Sequence, residues 1–80
     1  MKVWLYEVET DFYGDGTDTW VEPRAIFNVY EEALAKAKEY FNEVCTVKVE
    51  KEQTIVQGVN DEGYYVTIYL TSYELNKVYE

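Results

Sequence analysis

Residues 2–9 (KVWLYEVE) are rich in β-branched and aromatic side chains and read as a strand. Val3 and Leu5 fall on one side and Trp4, Tyr6 and Val8 on the other, so both faces carry apolar side chains. Residues 10–18 (TDFYGDGTD) break the pattern with two Gly and three Asp, which is loop chemistry. Strand character resumes over residues 19–27. Pro23 within it cannot donate to a ladder, so this is an edge strand or carries a bulge. The two segments are expected to form a hairpin with a long tip.

The period then changes. Tyr30, Ala33, Leu34, Ala37, Phe41 and Val44 recur at helical spacing, which predicts an amphipathic helix over residues 29–42. Asn28 stands at the capping position with Glu31 three residues on, and Glu32 and Lys36 have the spacing of a favourable ion pair. Residues 44–52 alternate, with Cys45, Val47 and Val49 inward and Thr46, Lys48 and Glu50 outward. A weaker strand follows over 53–59, after a turn at 50–53. Residues 60–63 (NDEG) predict a hairpin loop with Gly63 in the left-handed position. In the strand 64–70, Tyr64, Val66, Ile68 and Leu70 face in, while Tyr65, Thr67 and Tyr69 face out. Ser72 is placed to cap a last helical turn carrying Leu75 and Val78.

The fold expected from this pattern is a single α+β domain spanning residues 1–80. Its order is ββαβββ: a small antiparallel sheet with one main helix on one face, and a possible C-terminal helical turn. One amphipathic helix covers only one face of a sheet. The other is left for solvent or a partner.

Charge narrows the choice of partner. Sixteen acids face seven bases, a formal net charge of −9. Direct contact with nucleic-acid phosphates needs clustered Lys and Arg, so it is not expected, and neither is binding to an anionic membrane. A negative field instead steers basic partners in, although the same charge also serves solubility. The helix acids Glu31, Glu32, Glu39 and Glu43 read either as a solvated face or as a surface imitating phosphates. No apolar run reaches the ~20 residues of a membrane helix, and no signal-peptide pattern opens the chain. Cys45 is the one cysteine, which suits a reducing compartment, so a cytoplasmic location is expected.

Catalytic chemistry is sparse. The chain has no His, one Ser (Ser72) and one Cys on the inward phase of a strand. Ser-His-Asp and Cys-His arrangements are therefore excluded, as are ordinary zinc sites. No phosphate-binding glycine pattern occurs. Asp11, Asp15 and Asp18 could gather round Ca²⁺, but their spacing is not that of an EF-hand, and the loop reads more simply as a turn. No enzyme activity, catalytic residue, cofactor or metal is expected.

The outward aromatics carry the functional expectation. Tyr65 and Tyr69 lie on the last strand, and Trp4, Tyr6 and Trp20 are candidates to join them on the open face, bordered by Glu22 and Glu50. Such rings serve either as anchors for a protein partner or as cross-strand packing.

In size, charge and layout the whole chain resembles the small inhibitor proteins of phages and mobile elements, such as anti-CRISPR and anti-restriction proteins. The segments that carry the resemblance are MKVWLYEVE, VYEEALAKAKEYFNE and the NDEG hairpin. It implies a non-catalytic protein that occupies a basic surface of a host nucleic-acid-binding machine, and it transfers no functional residue. The alternative expectation is a structural domain that self-associates as a homodimer through its open face.

Overall fold

The computed structural model describes residues 1–13, 16–41 and 45–74. Among them are five strands and one helix, in the order β1 (Lys2–Asp11), β2 (Thr19–Phe27), α1 (Tyr30–Glu39), β3 (Thr46–Val49), β4 (Gln53–Val59) and β5 (Tyr65–Glu74). The strands form one sheet in the order β2-β1-β5-β4-β3, every neighbouring pair antiparallel. The described residues thus form a sheet with a single covering helix.

The first and last strands pair at the centre of the sheet. Cross-strand neighbours share a face, so the β1–β5 register assigns every side chain a side. Tyr6 opposes Leu70, Val8 opposes Ile68 and Thr10 opposes Val66 on one side; Glu7 opposes Tyr69, Glu9 opposes Thr67 and Asp11 opposes Tyr65 on the other. The helix covers the first side. Its Ala33 and Ala37, with Phe41 just beyond its end, pack with Tyr6, Val8, Val56, Val66, Ile68 and Leu70 into the core. Two alanines on the contact stripe let the helix backbone approach the sheet closely. Buried Thr54 has its hydroxyl satisfied by a 2.8 Å hydrogen bond shared with the Tyr30 hydroxyl, which ties the first turn of α1 to β4. Trp4 packs against Tyr30, ring centroids 5.6 Å apart.

Several expectations change at the element ends. The helix begins at Tyr30 with Val29 as its cap, in extended conformation, and no side chain caps it. Asn28 stands one residue too early, because the chain is still leaving β2 there. Lys36 reaches Glu39 at 3.8 Å rather than Glu32. The helix ends sooner than residue 42 through a tight last turn, in which the Tyr40 and Phe41 N–H groups donate to the Ala37 and Lys38 carbonyls. The strand expected over 44–52 is only Thr46–Val49, because the Glu50 N–H already closes the turn onto the Gln53 carbonyl at 2.8 Å. Cys45 is half-buried against the core. Ser72 caps no helical turn: it lies within β5, paired with Trp4. Leu75, Val78 and Val44 lie outside the described residues.

Other expectations match. β2 is an edge strand and also bulged: the register passes from Tyr6↔Ala25 to Glu7↔Pro23 and skips Arg24. The NDEG loop closes with the Gly63 N–H on the Asn60 carbonyl, and Gly63 takes φ 85°. The Asn60 side-chain oxygen accepts from the Glu62 and Tyr64 N–H groups.

Gly58 in β4 lies directly beneath the Phe41 ring. A Cβ there would lie 2.8 Å from Phe41 Cδ1. Gly58→Ala is therefore expected to cost about 1–3 kcal/mol by overpacking, seen as a lower urea midpoint at unchanged slope. An unchanged midpoint would show that Phe41 is not seated on this strand.

Candidate protein-docking face

No described element covers the sheet face opposite α1. Its central feature is a row of three carboxylates on β1, Glu7, Glu9 and Asp11, beside a row of tyrosines on β5, Tyr65, Tyr69 and Tyr73. The two rows are locked together. The Tyr69 hydroxyl donates to Glu9 Oε1 at 3.2 Å. Burial raises the Tyr69 pKa above the ordinary tyrosine value; the Glu9 charge, the hydrogen bond to it and the Glu7 charge act the same way. Tyr69 is thus held as a neutral donor. The Asp11 carboxylate, at the loop end of the row, accepts from the Gly16 N–H at 3.0 Å.

The remaining strands frame these rows. Gln57 Nε2 donates to Thr67 Oγ1 and Gln53 Nε2 to Thr71 Oγ1, both at 3.1 Å, which fixes the side chains between β4 and β5. Thr46, Gln57, Val59, Tyr65 and Thr67 line a hollow of about 320 Å³ beside the exposed Tyr65 ring. Toward the β2 edge, Val21, Pro23 and Ile26 share this face by register and are exposed. No ion pair to Glu7 or Glu9 occurs among the described residues; the basic Lys48 at the far edge pairs with Glu50 at 3.7 Å.

The expected binding residues separate into two groups. Tyr65 and Tyr69 lie on this open face, and Glu50 stands on its rim beside Gln53. Trp4, Tyr6, Trp20 and Glu22 do not: each sits on the helix side, opposite Ser72, Leu70, Thr10 and Val8 respectively. Tyr6 is a core residue, 6% exposed, and Trp4 is half-buried. Trp20 and Glu22 are exposed because α1 does not extend over the end of the sheet where they lie. The reason for the inversion is the phase of the acids. Setting Trp4 and Tyr6 outward would have put Glu7 and Glu9 beneath the helix, at the cost of desolvating unpaired carboxylates. Those acids are the residues that the aromatic reading overlooked, and the alternation of residues 7, 9 and 11 was the signal for them.

In the 11–18 loop, Asp11 serves a turn, and Asp15 lies outside the described residues. Among the described residues no group of three metal-ligating side chains gathers, and no helix is long and apolar enough to cross a membrane. No protein-family model matches the chain, and neither does any curated protein or solved structure.

The Tyr69 and Tyr6 phenols are both raised, Tyr6 by its burial first and then by Tyr40 and Glu39 against the opposing pull of Arg24. As pH rises through about 10, tyrosines of the unfolded chain release protons before these two do, so stability must fall with rising pH in that window. Glu9→Gln removes a charge that disfavours the Tyr69 phenolate, so it should shrink this loss. Urea midpoints measured from about pH 9 to about pH 11 check it. Identical pH slopes in the two proteins would contradict the Glu9–Tyr69 coupling.

Proposed function

We propose that this chain is a non-catalytic binding protein that docks a basic protein surface on the open face of its sheet, and that it acts as an inhibitor of the phage type. On this reading it occupies the basic surface of a nucleic-acid-binding machine in the cytoplasm of a host. The observation that carries the proposal is the row of half-buried carboxylates Glu7, Glu9 and Asp11, on a face that no described element covers, set against Tyr65 and Tyr69. Rigid tyrosines supply contact area at low entropic cost, and the acids supply charge complementarity and fast encounter. The hollow beside Tyr65 gives a partner side chain a place to enter. Self-association through the same face fits less well. A two-fold pairing sets each patch against its own copy, which places both acid rows in one interface without adding a basic row to meet them.

The test compares two double variants with the same charge change on opposite faces, using an arginine-rich peptide as the probe. Glu7→Gln with Glu9→Gln should weaken binding roughly tenfold, while Glu31→Gln with Glu32→Gln on the exposed helix surface should change it less than about twofold. Tyr65→Ala should also weaken binding and leave the fold intact, since its ring is 61% exposed. Binding of the native chain should decline as salt rises. Equal losses in the two double variants would reduce the effect to net charge and remove the face from the proposal. A dimer in sedimentation that dissociates on Tyr65→Ala would favour self-association instead.

A further inference from the structure

The second concave feature lies on the helix side, between the end of α1 and the edge strand β2. It is a cleft of about 330 Å³ lined by Tyr6, Arg24, Ala25, Phe27, Lys36, Glu39 and Tyr40. That volume falls at the lower end of the range for small-molecule sites. Aromatic rings form much of its wall: Tyr6 and Phe27 meet edge-on with centroids 6.0 Å apart, and Tyr40 stands on the helix side.

The bulge in β2 decides the cleft's chemistry. Pro23 lies opposite Glu7 on the open face and Ala25 opposite Tyr6 on the helix side, with Arg24 as the extra residue between them. In an unbroken strand, the neighbour of Ala25 would point to the open face. Instead, Arg24 lines the cleft together with Ala25, and its Nη2 lies 3.4 Å from Glu22, which is also on the helix side. The positive charge of Arg24 is felt at the Tyr6 phenol. Bulges characteristically re-aim a side chain in this way. Lys36 joins from the helix, so two of the chain's seven bases converge on one cleft, Arg24 paired with Glu22 and Lys36 with Glu39. With Glu22 and Glu39 paired to them, the charges here balance, in a chain whose net charge is −9.

We propose that this cleft binds a small aromatic carboxylate, with the ligand's ring against Tyr6, Phe27 and Tyr40 and its carboxylate on the Arg24 guanidinium, with Lys36 alongside. A guanidinium presents five donors in a fork that matches a carboxylate, and one contact to Glu22 does not exhaust them. The Arg24–Glu22 and Lys36–Glu39 pairs are both substantially exposed, at 3.4 and 3.8 Å. Such pairs contribute little and exchange readily for a better-placed anion. Burial keeps the Tyr6 phenol protonated, so it meets the ligand as a neutral group.

The experiment titrates 4-hydroxyphenylacetate, and separately its neutral amide, into the full chain while following backbone amide resonances by NMR. The carboxylate should shift Tyr6, Ala25, Phe27 and Tyr40 saturably, and the amide should bind roughly fivefold more weakly. Arg24→Gln should reduce carboxylate binding to the level of the amide and leave amide binding unchanged; its spectrum reports whether the fold is retained. Lys48→Gln, on the opposite face, should have no effect on either. Equal affinity for the two probes, carboxylate binding unchanged by Arg24→Gln, or no saturable shift at these residues would each overturn the proposal.

Discussion

The two edge strands run in the same direction, and everything else in the fold follows from how the chain joins them. β2 and β3 close opposite edges of the sheet, and successive antiparallel pairings leave them parallel to one another. No hairpin can link parallel strands, so the connection has to cross a face, and here it crosses as a helix. Five strands place the edge axes about 19 Å apart, wider than one helix of about 10–12 Å diameter. The helix therefore covers the centre of one face and nothing more. Ala33 and Ala37 allow it to sit low over β1 and β5, and the bare backbone of Gly58 admits the Phe41 ring. The cleft beside β2 is left open, and no described element covers the opposite face.

Which phase of each strand goes beneath the helix is then decided by charge. Along β1 the two phases are unequal: one holds Lys2, Trp4, Tyr6, Val8 and Thr10, the other Val3 and Leu5 followed by Glu7, Glu9 and Asp11. Burying the second would desolvate three carboxylates that have no cation opposite them in β5. The acids are sorted to the open face as a consequence of folding, and the negative surface used in the proposed docking comes from the same event. Tyr69 makes the arrangement tolerable by donating its proton into the row.

This accounts for what could be read in the sequence and what could not. Local signals held: the β1–β2 hairpin, the helical stripe, the NDEG turn, and the outward phase of Tyr65 and Tyr69 in a strand whose inward residues are uniformly apolar. The first strand is apolar on both sides near its start, so counting large rings assigned Trp4 and Tyr6 to the wrong face. The unequal cost of burying the two phases would have assigned them correctly. The bulge was half-legible. Pro23 marked the place, but the side on which Arg24 emerges depends on the register against β1, which is tertiary information. Element ends were least legible, because the chain's path out of β2 put the cap at Val29, and the tight turn at Glu50 cut β3 short.

The edges complete the argument about where recognition can occur. A sheet edge with free N–H and C=O groups invites another strand, and proteins blunt such edges with proline, bulges, lysine or short strands. β2 carries the first two devices, at Pro23 and Arg24. β3 carries the other two, being four residues long with Lys48 near its middle. Within β3 the Glu50–Gln53 bond sets the ladder phase, so the N–H and C=O groups of Val47 and Val49 are the ones directed outward. Two residues offer too few outward groups to hold an added strand in register. With both edges closed to strand addition and the core beneath α1 filled, what remains for binding is side-chain chemistry on the two faces. The acid-and-tyrosine rows lie on one, and the arginine cleft on the other.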